Sequence, residues 1–284
     1  MGISLEDISF TYPHGAGLVG LSFQLREGAM TAVLGAPGSG KSTLLQHFNG
    51  LLLPDSGNVR VGEITLDAGS SQAACRAVRR RVGLVFQYPE QQLFEETVLQ
   101  DLCFGPLNHG VDEAEAEAAA RRAAQWMGLD DSLLARSPFR LSSGQQRRAA
   151  IAAVLACDPD IIVLDEPTAS LDAAGRCELM ARLDAMCREA GKTVLVATHR
   201  LEDVAPYAED YVVLREGQLT FHGAGHTLLQ HTAALEAAGV IVPGAIRLAL
   251  GVAELTGIEF DRIWPQPSEL AAAIHQAYER GRPT

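Results

Sequence analysis

Hydrophobic and polar residues alternate at the start of this chain, and solid apolar runs replace the alternation further on. Ile3 and Leu5, then Ile8, Phe10 and Tyr12, alternate with polar neighbours, and Leu21 to Leu25 alternates again. A period of two predicts half-buried strands, so an antiparallel β layer is expected here. Val59 to Leu66 reads as another strand of that layer. Met30 to Leu34 is a compact apolar run, the pattern of a buried strand, and Val82 to Phe86 reads the same way. Ile161–Leu164 and Thr193–Ala197 are two more, ending in Asp165-Glu166-Pro167 and Thr198-His199. Parallel strands that end in polar residues deliver them to the edge where open α/β sheets bind ligands. Tyr211 to Leu214 and Gln218 to Phe221 are expected to close the sheet as a hairpin across Glu216-Gly217.

Helical patterns fill the rest. Asp112 to Met127 reads DEAEAEAAARRAAQWM, with carboxylates early, arginines late, a Glu117–Arg121 pair one turn apart and Gly128 to stop it. It belongs to a largely helical stretch of about residues 90–156. There, Leu141-Ser142-Ser143-Gly144-Gln145 opens a second good helix, with Ser142 or Ser143 at its N-cap. A capped helix is the plain reading of that segment; a second end suited to phosphate oxygens is the functional one. After about Gly225 the chain is alanine-rich and helical, punctuated by Pro243, Pro265 and Pro267, with a last helix over Ser268–Arg280.

The chemistry is concentrated between Met30 and Gly50. The strand is followed by Gly35, Ala36, Pro37, Gly38, Ser39, Gly40, Lys41, Ser42 and Thr43, read as a glycine-rich turn, and then by a helix over Leu44–Phe48. Glycines let backbone N–H groups turn inward around phosphates, and a helix N-terminus favours negative charge. Lys41 supplies a mobile positive charge and the Ser42 hydroxyl is placed to ligate Mg2+.

Composition narrows the picture. A chain of 284 residues, 47% apolar, can bury a large α/β core with an appendage. A net charge of -12 opposes binding to nucleic acid, where a basic stripe is expected. The opening MGISLEDISF is too acidic and too patterned for a signal peptide, and no apolar run reaches the roughly 18 residues of a membrane span. Cys75, Cys103, Cys157, Cys177 and Cys187 are scattered and odd in number without a CxxC pair, which predicts reduced, buried thiols in a cytosolic protein and no zinc site.

GAPGSGKST, Gln87 after an apolar strand, LSSGQ, IIVLDEP, Ser170-Leu171-Asp172 and His199 stand in the order and spacing of the nucleotide-binding subunits of ABC transporters. The chain resembles that family over about residues 1–225. Phe86 to Gly110 and the C-terminal extension are similar to the ATPases of energy-coupling factor importers and to the cobalt-transport ATPases. The resemblance implies an α/β, ABC-type P-loop NTPase core with an antiparallel β layer, an inserted helical subdomain (about 90–156) and a small helical extension (226–284), a candidate dimerisation element. It implies ATP and Mg2+ as ligands. Tyr12 becomes the adenine platform, although an aromatic there reads equally well as ordinary core. Residues Gly35 to Thr43 become the phosphate cradle, and Ser42, Gln87 and Asp165 the Mg2+ neighbours, Asp165 through water.

Glu166 becomes the base that orients and deprotonates the attacking water, and His199 the γ-phosphate sensor. Their plain alternatives are a loop-capping carboxylate and a loop histidine. Ser142, Ser143, Gly144 and Gln145 become the signature loop acting on a partner's nucleotide, with Asp172 a dimer contact; alone, Asp172 is a surface aspartate. Ser143 departs from the family, which usually carries glycine there. The implied partners are a second copy or a related ATPase, a transmembrane coupling protein and a membrane-embedded substrate-binding protein, which would hold the chain at the cytoplasmic face of the membrane. Tyr88, Leu93, Phe94 and Leu99, interleaved with Glu90, Glu95 and Glu96, are candidates for a docking groove, with half or more of the apolar ones expected in the core. A cytosolic ABC-type ATPase of DNA repair would carry long heptads, and a scaffold with a dead site would lack Lys41 or Glu166; neither description fits.

Overall fold

The computed structural model describes residues 2–15, 17–229, 231–256 and 267–280. Its strands are β1 (Ile3–Thr11), β2 (Gly17–Gln24), β3 (Met30–Leu34), β4 (Ser56–Val61), β5 (Ile64–Leu66), β6 (Val82–Val85), β7 (Ile161–Asp165), β8 (Thr193–Thr198), β9 (Asp210–Arg215) and β10 (Gln218–Ala224). Four of them form an antiparallel sheet in the order β2-β1-β4-β5. The other six form a sheet in the order β10-β9-β3-β8-β7-β6, in which every pairing is parallel except β10 with β9. The expected single strand over Val59–Leu66 is a hairpin: the chain reverses at Gly62-Glu63 and Val61 pairs with Ile64.

Helices α1 (Lys41–Phe48) and α2 (Gln72–Arg79) follow β3 and β5. Between β6 and β7 lie α3 (Val98–Asn108), α4 (Glu113–Trp126), α5 (Asp131–Leu134) and α6 (Ser143–Leu155), preceded by a 3-10 turn at Pro89–Gln92. The chain continues with α7 (Ala173–Ala190), α8 (Leu201–Val204), α9 (Gly225–Leu229), α10 (Thr232–Ala237), α11 (Gly244–Thr256) and α12 (Pro267–Arg280). The expected helix over Asp112–Met127 is α4, where Asp112 is the cap, accepting from Glu115 N–H, and Gly128 takes φ 64° just beyond. Pro265 lies outside the described residues.

Strand β3 shows why the parallel strands read as solid apolar runs. Met30, Ala32 and Leu34 face a core shared with α3, α4, α6 and α7, while Val33 faces a second core with Leu44, Leu45 and Phe48 of α1. Both faces of the sheet are covered, so alternation has no solvent side to mark. The second core also takes Ile3, Ile8 and Leu21, so α1 is clamped between the two sheets. Phe48 is fully buried there, and its truncation to alanine would cost about 3–5 kcal/mol. The first core continues past residue 225: Leu228, Leu235, Val240, Val242 and Ile246 join the cluster that holds Met30 and Leu34.

Candidate active site

The phosphate turn leaves β3 at Leu34 and enters α1 three residues earlier than the pattern predicts. Gly40 is the N-cap, at φ 100° with no side-chain cap, so Lys41, Ser42 and Thr43 form the first helical turn rather than the end of the loop. The sequence carries no Ser, Asp or Asn at the cap to signal that start. Gly35 takes φ 154°, and a Cβ there would stand 2.4 Å from the Leu214 carbonyl and 2.4 Å from Ser39 Oγ. The turn is therefore drawn tightly over the sheet, which only glycine permits.

Lys41 Nζ donates to the Gly35 carbonyl at 2.7 Å and the Ala36 carbonyl at 3.1 Å, folding the ammonium over the turn. Burial lowers the Lys41 pKa, while Glu166 and Asp165 act to raise it. Ser39 Oγ is buried with no hydrogen-bond partner among the described residues, while Ser42 is exposed. Ala36 N–H donates to the Ala238 carbonyl at 2.9 Å, so the C-terminal segment touches the phosphate turn directly. Tyr12 lies just past β1, about a third exposed, with its hydroxyl 3.3 Å from Thr43 Oγ1 and its ring edge-on to Phe10.

The acidic pair comes from β7, two strands away from β3. Asp165 pairs with Ala197 of β8, and its carboxyl pKa is raised by burial and by Glu166, against a hydrogen bond from Ser42 and the charge of Lys41. Glu166 takes φ 47°, a left-handed conformation costing on the order of 1–3 kcal/mol for a non-glycine residue. Its carboxylate is held from three sides. Oε2 accepts from Thr198 Oγ1 at 3.0 Å; Oε1 accepts from the His199 backbone N–H at 3.1 Å and lies 2.8 Å from His199 Nδ1. Lys41, Ser42, Asp165, Glu166 and His199 thus share one end of the parallel sheet. Gln87 is exposed two residues past β6, whose Val85 pairs with Leu164.

The signature segment forms a separate surface. Ser142 is the cap of α6, its Oγ accepting from Gln145 N–H at 3.3 Å, while Gln145 Oε1 accepts from Ser142 N–H at 3.0 Å. This reciprocal capping box turns the Gln145 amide back on its own helix, and Ser143 and Gly144 fill the first turn. Asp172 caps α7, accepting from Gly175 N–H at 2.8 Å. Ser142, Ser143, Gly144, Gln145 and Asp172 line one cleft of about 360 Å³.

One residue has no counterpart in the sequence reading. Arg147 of α6 is 1% exposed and binds Glu90, whose carboxylate was expected at a docking surface. Glu90 is therefore a structural partner of a buried cation. Leu93 is likewise in the core, while Tyr88 and Phe94 are exposed and Leu99 is half-buried. Phe94 and Phe104 meet edge-on, 4.9 Å apart, beside a groove of about 400 Å³ also lined by Leu93 and Asp101. Asp101 Oδ1 accepts from the backbone N–H groups of Phe94 and Glu95, which fixes that turn.

A phosphate turn between a buried strand and a helix, with an acidic pair at the end of a neighbouring parallel strand, defines a P-loop nucleotide-binding protein. The sequence profile of the ABC transporter family matches residues 18–169. An energy-coupling factor transporter ATP-binding protein EcfA2 of Bacillus cereus is 41% identical over 99% of this chain and 98% of its own length. The protein of the same name from Streptococcus sanguinis is 45% identical over 97% of this chain and all of its own. The chain belongs to the ABC transporter family, in its energy-coupling factor branch. Among solved structures, CbiO1 of Clostridium perfringens, part of the ABC transporter complex CbiONQ, superposes with a TM-score of 0.73 at 34% identity over 85% of this chain and 95% of its own. The dimeric ATP-binding cassette MJ0796, bound to ADP and Pi, gives 0.70 at 29% identity over 78% of this chain and 98% of its own.

Proposed function

We propose that this chain is the ATP-hydrolysing subunit of a membrane importer of the energy-coupling factor type, driven by ATP-dependent closure of an ATPase dimer. The observation that carries the reading is the Glu166 carboxylate, held by Thr198 and His199 at the end of the sheet where Lys41 and Asp165 also lie. Gly35 to Thr43 cradle the phosphates through backbone N–H groups, Lys41 binds their negative charge, and Tyr12 supports the adenine. Glu166 orients the attacking water and takes its proton, and His199 reads the γ-phosphate. Ser42, with Gln87 and Asp165, suits Mg2+, which when bound neutralises charge on the phosphates. The exposed Ser42 hydroxyl hydrogen-bonded to Asp165 is an oxygen donor set of the kind that cation takes.

Ser142, Ser143 and Gly144 face the nucleotide of a second cassette, with Asp172 in the same cleft, so ATP joins two chains and hydrolysis lets them part. Gln145 acts from behind, by capping the loop. Residues 1–225 form the cassette, about 90–156 its helical subdomain, and 226–284 an extension that serves the dimer.

Among the described residues no helix is long and apolar enough to cross a membrane. Attachment in this reading is through a transmembrane partner. The groove beside Phe94 and Phe104 receives a helix of that partner, and Glu95 and Glu96 next to it favour a helix carrying basic residues. The chain then sits at the cytoplasmic face of the membrane, next to a membrane-embedded substrate-binding protein. Fractionation with a co-expressed transmembrane partner tests this. If the chain stays soluble with full ATPase activity beside every such partner, the transporter reading fails.

A further inference from the structure

The guanidinium of Arg147 uses all of its five N–H donors. Nε donates to Glu90 Oε2 at 3.2 Å and Nη2 to Glu90 Oε1 at 3.1 Å, a two-point grip on one carboxylate. Nη2 also donates to the Gln87 carbonyl at 3.3 Å. Nη1 donates to the Pro167 carbonyl at 3.2 Å and to the Ala169 carbonyl. Arg147 and its partners belong to three separate segments. Gln87 and Glu90 follow β6; Pro167 and Ala169 follow Glu166; Arg147 itself lies in the second turn of α6, whose cap is Ser142.

The turn beyond Glu166 has other restraints besides: Glu166 N–H donates to the Ala197 carbonyl at 2.8 Å and Leu171 N–H to the Thr168 carbonyl at 3.2 Å. Ala169 N–H donates to the Glu166 carbonyl at 3.1 Å, and Thr168 Oγ1 donates to Asp203 Oδ2 at 2.8 Å. The left-handed φ of Glu166 persists only if its surroundings hold it, and two carbonyls of that turn are held by one buried cation. Because the guanidinium is buried while Glu90 is half-buried, loss of Glu90 leaves a buried cation short of its counter-charge rather than a small surface effect.

We propose that Arg147 is a positioning residue for hydrolysis: its guanidinium makes the signature helix, the Gln87 segment and the turn carrying Glu166 move as one body. A displacement of α6, when Ser142 meets the partner's nucleotide, is thereby delivered to the carboxylate that activates water. Hydrolysis on this chain then waits for the other cassette to arrive. The inference rests on Glu166 being the general base and adds the residue that sets its geometry.

The test uses the full chain in its assembled complex. Arg147→Lys keeps the charge but offers three donors in place of a planar fork of five. Turnover and KM are measured beside the number of nucleotide sites per chain, counted with a fluorescent ATP analogue. Expected is a fall in kcat per occupied site of roughly 10- to 100-fold, with KM within about twofold. In a Glu166→Gln background the same Arg147→Lys change should cost nothing further, because its effect passes through Glu166. Glu90→Gln gives a milder case, with a loss of roughly 3- to 10-fold in kcat.

Unchanged kcat per site in Arg147→Lys overturns the proposal, as does an equal loss in the Glu166→Gln background. Loss of the nucleotide sites in both Arg147→Lys and Glu90→Gln also overturns it, since the pair would then only hold the fold. A near-normal rate in Glu166→Gln alone removes the base assignment instead, and so separates the two failures.

Discussion

Glu166 Oε1 meets His199 twice, accepting from its backbone N–H at 3.1 Å and lying 2.8 Å from its Nδ1. The first contact belongs to the main chain and survives substitution of His199 by any residue but proline. Glu166→Gln should therefore preserve ATP binding while lowering hydrolysis by roughly 10²- to 10⁴-fold, since the amide keeps the shape but takes no proton. His199→Ala should leave Glu166 in place and lower kcat by roughly tenfold or more. Steady-state ATPase assays beside equilibrium nucleotide binding check both; a near wild-type rate for Glu166→Gln would mean that another group is the base.

The separation between the phosphate turn and the Ser142 surface predicts complementation. Lys41→Ala removes the cation at the phosphates and Ser142→Arg obstructs the facing loop, so each homodimer should be inactive. Mixed together, they restore one composite site from the intact cradle of the Ser142→Arg chain and the intact signature loop of the Lys41→Ala chain. About half of wild-type activity per dimer of mixed composition is expected if each site turns over independently. If the natural pair is with a related ATPase, the same variants are placed across that pair. Absence of rescue in either arrangement contradicts the sandwich.

Asp165 gives a stability prediction with a defined sign. Burial raises its pKa in the folded chain above the ordinary carboxylate range. The stabilisation linked to its proton is complete below the unfolded value and is lost as pH rises through the raised folded value. At pH 7 the charged side chain is thus a burden on the fold, and Asp165→Asn should raise Tm while abolishing most activity. Thermal melts across the acidic range should show the gain shrinking towards zero as pH falls below the unfolded carboxylate value. A drop in Tm at pH 7 would reverse the assignment.

For the membrane partner, Phe94 and Phe104 are the anchors to test, because both are exposed and stacked edge-on at the groove. Phe94→Ala should weaken co-purification with the transmembrane partner by roughly 2 kcal/mol with ATP binding intact. Charge reversal at Glu95 or Glu96 should act more weakly and lose its effect at high ionic strength. Reversal at Glu90 should instead impair hydrolysis, through Arg147. Equal behaviour of all three glutamates in the salt series would refute that division.

Much of this site was readable in the sequence because its parts are local. Gly35, Lys41 and Ser42 lie within one turn of chain, and Asp165 and Glu166 follow directly from an apolar run. Ser142 as a cap was legible for the same reason. The Arg147–Glu90 pair was not, since its members are 57 positions apart and Arg147 stands beside Arg148, which pairs with Glu178 near the surface. Nothing in the pattern says which of two adjacent arginines turns inward. The early start of α1 was hidden by a glycine cap, and the β4–β5 reversal by apolar residues that continue on both sides of it. The contact between Ala36 and Ala238 joins segments too distant for any local pattern to reveal.

The position of β3 also bears on how the protein is made. This strand leaves the ribosome early, yet its two neighbours are β8 and β9, and the turn it carries is tied by Ala36 to a carbonyl further on still. Contacts between distant segments cannot form until the later segment exists. A nascent chain halted before Thr193 has the whole phosphate sequence but no strand on either side of β3. Its Met30–Leu34 segment is then an unpaired apolar strand and Gly35–Thr43 a loose loop, open to aggregation rather than to ATP. Nucleotide affinity arrives only once β8, β9 and the segment around Ala238 have been made, which ties the appearance of the site to segments translated long after it.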